Sequence, residues 1–407
     1  MRILLCTQYF WPENFAINHL ARGLAERGFE IEVLTGMPNY PSGTFLQGYG
    51  GWRTKREEFE GIPITRVPMT ARGATRASLA LNYLTFAMSA SMLGPALLRG
   101  PYEVVFVYAP SPATVGIPGL VLKWRHRAKL VYWVQDLWPE SLQAARGTRS
   151  PTVINLMRRL VRLIYWGCDR ILIPSCAFRA SVESFGVDAA RIGFVPNTVE
   201  EFYRPVDAPT RAPERDELGS GGFNIVFGGN LGAAQDLDTV LEAAVLTRSR
   251  EDIRWVLIGD GRMRDDLDAK IRQLGLVRTV SMLGPRPPSA MPTYFALADA
   301  LLLTLRSDSI YALTVPSKLQ AYLACGRPVL AGIDGEAARI VGAAGAGLAV
   351  PATSPSLLAD AAVRLADMTA VEREGLGASG RAYFEKHYAR ERVLGRLAEE
   401  LREAALS

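Results

Sequence analysis

The sequence predicts an α/β protein made of two parallel-sheet domains. Three observations carry this expectation. Its 407 residues exceed the roughly 250–300 that a single core supports. Short apolar runs of strand length alternate with longer helical patterns through both halves. A Pro- and Gly-rich stretch over 203–222, with Pro205, Pro209, Pro213 and a Gly219-Ser-Gly-Gly run, separates the two sets and has the composition of an interdomain connection.

Taken in order, the first set of buried strands is expected at 3–7, 31–35, 104–108, 130–134 and 171–174, each rich in Val, Ile or aromatic residues. The N-terminus runs straight into the first of them and has neither the longer apolar stretch nor the cleavage site of a secretory leader. The second set is expected at 224–227, 255–258, 279–283, 300–303 and 329–331. Domains are accordingly expected at 1–203 and 223–379, joined by a linker at 204–222. A charged helical segment at 380–407 either caps the second domain or crosses back to the first. The longest apolar run, 79–98, is interrupted by Asn82, Thr85, Gly94 and Pro95, so it is not a membrane span. Flanked by Arg72, Arg76 and Arg99, it reads equally as a helix lying in a bilayer surface or as an ordinary core helix.

Composition narrows the function. With 49% apolar and 21% charged residues the chain has a globular and not a disordered balance. Four scattered cysteines without a CxxC pair, and three histidines, suggest neither a disulfide framework nor a zinc site and fit a reducing compartment. Residues 1–200 carry 22 Lys and Arg against 14 Asp and Glu; the remainder carry 24 against 27. A basic first half gains Coulomb attraction toward a lipid headgroup or phosphate, although a solvated surface accounts for the same count.

Chemistry concentrates where strands end. After the strand at 300–303, Thr314 is expected to cap a helix that begins near Val315, with Pro316 in its first turn and Gly326 ending it before Pro328. The backbone N–H groups of Val315, Pro316's neighbours Ser317 and Lys318, and Leu319 then open toward an anion, and Lys318 adds a full charge. Glycine-rich turns containing Gly229 with Asn230, and Gly259 with Gly261, follow two further strands; neither is a GxGxxG fingerprint, and each also reads as a plain strand-to-helix turn. In the first half Gln135, Asp136 and Glu140 leave a buried strand. Asp136 suits orienting a sugar hydroxyl, stabilising positive charge at an anomeric carbon, or capping the next element. The loops at 8–15 and 36–43 combine aromatics and amides suited to sugar faces and hydroxyls, or to packing.

At these residues the chain resembles the GT-B glycosyltransferases of family four, and more closely the bacterial subgroup similar to transferases of O-antigen, capsule and colanic-acid pathways, N-acetylfucosaminyl transferases among them. The resemblance rests on Asn18-His-Leu-Ala-Arg-Gly-Leu-Ala-Glu-Arg-Gly, Trp133-Val-Gln-Asp-Leu-Trp-Pro-Glu-Ser, Val195-Pro-Asn-Thr-Val, Gly259-Asp-Gly and Pro316-Ser-Lys-Leu-Gln-Ala-Tyr-Leu-Ala-Cys-Gly-Arg-Pro-Val. It implies two Rossmann-like domains facing a central cleft, an acceptor domain first and a nucleotide-sugar domain second. It implies metal-independent transfer with retention, no cofactor, and a UDP-sugar donor such as an amino-deoxy sugar. The acceptor it implies is a polyprenyl-diphosphate-linked glycan at the inner face of the cytoplasmic membrane, with the enzyme cytoplasmic and peripheral; nucleic acid is not expected. Glu13 and Asn14 stand where the family has a glycine pair, and with Asn39 and Tyr40 they are the expected acceptor contacts. Asp136 and Lys318 are the expected catalytic residues.

Departures from the pattern are specific. The family's Glu-x7-Glu pair falls at Leu313 and Ala321, so Glu336 is the candidate substitute for the ribose contact. The diphosphate-gripping Arg and Lys fall near Asn230 and Gln235, which shifts that role to Lys318, Arg306 and backbone donors. Two other functions remain open at the level of sequence: a nucleotide-sugar epimerase of similar fold, which needs paired acid and base carboxylates, and a membrane-associated scaffold that keeps the fold without nucleotide binding.

Overall fold

The computed structural model describes residues 1–144, 150–208, 213–219 and 221–407. Pro209 and Ser220 of the expected linker lie outside the described residues. The chain forms two compact units, 1–196 with 393–407 and 197–392.

In the first unit the strands are β1 (Arg2–Cys6), β2 (Glu30–Gly36), β3 (Lys55–Phe59), β4 (Ile62–Val67), β5 (Val104–Ala109), β6 (Lys129–Val134), β7 (Arg170–Ile173) and β8 (Ile192–Phe194). They form one sheet in the order β3-β4-β2-β1-β5-β6-β7-β8, parallel except that β3 runs antiparallel to β4. Its helices are α1 (Ala16–Glu26), α2 (Arg76–Leu97), α3 (Gly116–His126), α4 (Glu140–Ala144), α5 (Pro151–Gly167) and α6 (Phe178–Glu183). Every residue of β5 is buried, which is why Val-Val-Phe-Val-Tyr-Ala is a continuous apolar run: crossover helices cover both faces of a parallel sheet.

The second unit carries β9 (Phe223–Gly228), β10 (Ile253–Ile258), β11 (Val280–Gly284), β12 (Ala300–Thr304), β13 (Val329–Gly332) and β14 (Gly347–Val350), all parallel in the order β11-β10-β9-β12-β13-β14. Its helices are α7 (Pro213–Leu218), α8 (Leu237–Leu246), α9 (Arg264–Gln273), α10 (Met291–Leu297), α11 (Ser309–Leu313), α12 (Ser317–Cys325), α13 (Gly335–Ala344), α14 (Pro355–Asp367) and α15 (Ala370–His387); α16 (Arg390–Leu406) follows.

Four strands fall outside the sequence expectation. β3 reads Lys-Arg-Glu-Glu-Phe, β8 has three residues, and β14 contains glycine; all three are edge strands, where one row of backbone groups and part of the surface meet solvent and no continuous apolar run is needed. β4 conceals itself through Pro63 and Arg66, the latter fully buried with its Nη1 donating to the Gly36 carbonyl at 2.9 Å and its Nε paired with Glu57.

The unit boundary precedes residue 203 because Val199 is buried in the second core and Tyr203 packs on it. The expected single segment at 380–407 is two helices: the N–H groups of Tyr388 and Ala389 both donate to the Phe384 carbonyl, at 2.7 and 2.9 Å, and close α15. Beyond that break Val393, Leu394, Leu397, Ala398, Leu401 and Ala404 recur at helical spacing and bury themselves against Ile3, Leu5, Phe106 and Trp133 of the first core. The Arg170–Glu400 ion pair at 2.5 Å holds α16 on that face.

α2 packs one side on the core, as the core-helix reading expects. Thr75 and Ser78 form a capping box at its start, and Asn82, Phe86, Ala87, Ala90 and Gly94 are buried. The other side is exposed. Among the described residues no helix is long and apolar enough to cross a membrane.

Candidate functional site

In the second unit the strand order reverses between β9 and β12, and a crevice forms beyond the carboxyl ends of strands at such a point. The loops that leave β9, β10 and β11 are zipped there by backbone. Gly229 N–H donates to the Ile258 carbonyl at 2.8 Å, Gly259 N–H to that of Gly284 at 2.9 Å, and Leu231 N–H to that of Asp260 at 2.8 Å. A Cβ on Gly259, at φ +150°, would overlap the Gly229 carbonyl; one on Gly229, at φ +139°, would meet Cε of Lys318 at 2.5 Å. Glycine is required at Gly259 by the close approach of backbone as much as by backbone angle, and at Gly229 by backbone angle, where a side chain would also displace the Lys318 amine.

Lys318 arrives from α12. The helix starts later than its sequence suggested: Pro316, with extended backbone, occupies the N-cap, and Thr314 instead donates its hydroxyl to the Ile310 carbonyl at 2.8 Å, closing the short α11. Val315 therefore precedes the helix and packs on the core, and Leu319 is fully buried. The first N–H groups of α12, at Ser317 and Lys318, have no acceptor within the helix. Lys318 Nζ stands 3.9 Å from the centroid of the Phe227 ring and donates to Gln235 Oε1. Burial pushes its ammonium down to about 7.

These groups surround a pocket of about 520 Å³ lined by Gly229, Asn230, Gly259, Ser317 and Lys318 among the expected residues. Glu200, Tyr203, Arg286, Phe295 and Tyr322 line it too and were not singled out by sequence. Tyr203 and Phe295 stack with centroids 6.3 Å apart. Tyr322 fixes the floor, its hydroxyl accepting from Gly228 N–H at 3.1 Å and donating to the Leu302 carbonyl at 3.2 Å. Arg286 is held from behind by Glu217 at 2.8 Å and by the Tyr294 hydroxyl at 2.8 Å. Glu200 directly follows the Val195-Pro-Asn-Thr-Val motif, the one signal that could have found it.

The remaining expected donor contacts lie outside this lining. Gly261 lets its loop pass the Leu231 carbonyl, which a Cβ would overlap. Arg306 donates its N–H to the Ala234 carbonyl at 3.0 Å and borders a separate hollow with Asp236, Ser307 and Thr353. Glu336, expected to replace the missing carboxylates, is gripped by Arg339 through two hydrogen bonds of 2.9 and 2.7 Å on the first turn of α13. Ala321 does line the pocket, without a carboxylate.

In the first unit Asp136 follows β6 and makes no hydrogen bond or ion pair among the described residues. The capping role is excluded by position, since α4 begins only at Glu140. Its carboxyl is reached by solvent, yet surrounding protein limits its hydration and raises its pKa above the usual carboxylate range. The four expected acceptor contacts divide. Glu13 is buried, and its Oε1 accepts from the N–H groups of Asn39 and Tyr40, both at 2.7 Å; burial outweighs those bonds and raises its carboxyl to about 7. Asn39 is fully buried, its Nδ2 donating to the Met37 carbonyl at 2.7 Å and its Oδ1 accepting from Arg72 N–H at 3.0 Å. Both shape loops. Asn14 is exposed, and Tyr40 presents a partly open ring among Tyr9, Phe15 and Arg72.

Comparison with known proteins agrees with the fold of the two units. Residues 14–198 match the glycosyl transferase 4-like domain family, and 222–368 match the family of glycosyl transferases group 1. The chain is 26% identical over 339 residues to the putative colanic acid biosynthesis glycosyl transferase WcaI of Escherichia coli K12, covering 80% of this chain and 82% of that protein. It is 27% identical over 294 residues to the probable glycosyltransferase WbjE of Pseudomonas aeruginosa, covering 70% and 71%. Among solved structures, HepE of Anabaena in complex with UDP superposes with a TM-score of 0.73 at 16% identity, covering 99% of this chain and all of that one.

Proposed function

The chain belongs to the glycosyltransferases that pair a family-4-like domain with a group 1 domain in the GT-B fold, and from this premise we propose that it moves a hexosyl unit, an N-acetylated deoxyhexosamine, from a UDP-sugar to a hydroxyl of a polyprenyl-diphosphate-linked glycan. The acceptor places the enzyme peripherally on the inner face of the cytoplasmic membrane. The observation that carries the donor half is Lys318: a desolvated amine on the first turn of α12, beside the Gly229 and Gly259 backbone, with no carboxylate paired to it among the described residues. A diphosphate supplies the missing negative charge and accepts from the helix N–H groups.

In this reading the bond from the anomeric carbon to the diphosphate oxygen breaks as the acceptor oxygen bonds to that carbon. Charge grows on the departing diphosphate, where Lys318 and the α12 N–H groups stabilise it more strongly than in the ground state. The acceptor's proton passes to a departing phosphate oxygen, and the step needs no metal. Asp136, with an unpaired carboxylate at a strand end, suits orienting a sugar hydroxyl or stabilising the positive charge on the anomeric carbon. The similarity to WcaI and WbjE supports a surface-polysaccharide role. Incubation of the full chain with UDP-hexosamines and extracted polyprenyl-diphosphate glycans, in EDTA, should release UDP together with a lengthened lipid-linked glycan. Release of an epimerised nucleotide sugar with no lengthened product would overturn this reading.

A further inference from the structure

α2, α3 and α5 lie side by side, with α3 touching both neighbours and resting on β5 and β6. The opposite face of the sheet is filled by α1 and α16. The outer surface of the three helices carries large apolar side chains where solvent should favour polar ones. On α2 the exposed positions include Leu81, Leu84, Met88 and Met92, the last two 61% and 74% exposed, at helical spacing. From 77 to 98 no residue is charged, so this helix is apolar on its outer side as well as its inner one. A helix apolar all round belongs in a core or against lipid. α3 adds Trp124 at 83% exposure, and α5 adds Leu156, Leu163 and Trp166, the last at 78%. An apolar area spread over three neighbouring helices marks an interaction surface.

Charge selects the partner. None of the three helices contains an Asp or Glu. Between and around the apolar side chains stand Arg125 and Arg127 beside Trp124, and Arg158, Arg159 and Arg162 beside Leu156 and Leu163, all exposed. Two copies of the chain meeting through this face about a twofold axis would set these arginines against one another with no carboxylate to neutralise them. A bilayer of anionic lipids offers hydrocarbon for the leucines, methionines and tryptophans and headgroups for the arginines.

We propose that the outer face of α2, α3 and α5 is a docking surface for an anionic membrane, into which the α2 stripe and Trp124 and Trp166 insert. This rests on the lipid-linked acceptor of the reading above and specifies which side of the first unit meets the bilayer.

The test is sedimentation of the full chain with vesicles of phosphatidylethanolamine and phosphatidylglycerol, or of phosphatidylcholine alone, for wild type, the M88E/M92E double variant and the R158E/R162E double variant. UDP titration and sedimentation velocity run in parallel. Wild type should partition onto the anionic vesicles, with partition falling as salt rises. M88E/M92E should lose about tenfold or more, and R158E/R162E about fivefold or more for each arginine, on anionic vesicles only. Both variants should bind UDP as wild type does, since neither pair lines the pocket. Wild type remaining in the supernatant, or M88E/M92E sedimenting like wild type, overturns the assignment. A wild-type dimer that M88E/M92E dissolves also overturns it, in favour of a second copy. Vesicle binding without UDP binding leaves the docking face standing and removes the donor reading instead.

Discussion

The strand-end loops of the two units are built from different materials. In the second unit, backbone packs on backbone where the loops cross: Gly229, Gly259 and Gly261 carry no side chain there, so carbonyls and N–H groups form the stretch of wall beside Lys318, while side chains such as Tyr203, Arg286 and Phe295 line the rest of the pocket. In the first, buried side chains do the work. Glu13 ties the loop after β1 to the loop after β2, Asn39 and Asn82 hydrogen-bond at 3.3 Å, and Asn82 accepts from Gln8 at 2.7 Å. A backbone-lined site is fixed by where chain can pass and suits an invariant group such as a diphosphate. A side-chain-lined one can change its open members, such as Asn14 and Tyr40, while its buried members hold the loops still.

The sharpest break in the second unit is Gly259→Val. Its new Cβ meets a backbone carbonyl that cannot rotate away, and its φ is unfavourable, so a loss of about 3 kcal/mol or more in a urea melt is expected. In the first unit Glu13→Gln keeps the acceptor oxygen of the corresponding tie and removes its titration. Because the folded carboxyl titrates near 7, above its ordinary 4.5, the folded state holds the extra proton. The stability that Glu13 contributes is then fully present below about 4.5 and is lost as pH rises through 7; the Gln variant should lack that part of the pH dependence, worth about 1–3 kcal/mol between melts at pH 5 and pH 8. Parallel pH profiles for the two proteins would contradict this. Asn82→Ala should cost about 1–3 kcal/mol by stranding Gln8 and the Thr70 carbonyl, while leaving UDP affinity unchanged in the same calorimetric titration. The smallest effect belongs to Glu336→Gln, which loosens one pair with a half-exposed Arg339: under about 1 kcal/mol, with UDP affinity unaltered. A large loss of affinity there would restore Glu336 to the nucleotide site.

Much of the fold was legible because a parallel sheet covered on both faces writes its central strands as apolar runs, as β5 and β12 do. The edges were not: β3 is charged and β14 contains glycine, since an edge strand answers to one neighbour only. The start of α12 was misplaced because Pro316 is equally at home in the first turn and, as here, at the cap, and the five-residue α11 consumed Thr314. Lys318 and the glycines could be read from one segment each. The face of Phe227 beneath Lys318, Gln235 beyond it, and the Tyr203–Phe295 stack converge from distant segments and carry no local pattern. Glu13 and Asn39 look like ligand contacts in sequence because loop amides and carboxylates read alike whether they face a sugar or a neighbouring loop; their burial is what sets them apart from Asn14 and Tyr40.

The central claim is that Lys318 holds a diphosphate, and calorimetry of UDP binding without divalent metal tests it most directly. Wild type should bind in the micromolar range, and Lys318→Ala about 10- to 100-fold more weakly. Since the unliganded amine titrates near 7, it is largely neutral at pH 8, and the diphosphate should recharge it. Wild-type binding at pH 8 should therefore take up about one proton, read from buffers of different ionisation enthalpy, and the alanine variant none. Equal UDP affinity and equal proton uptake in two folded proteins would contradict the account.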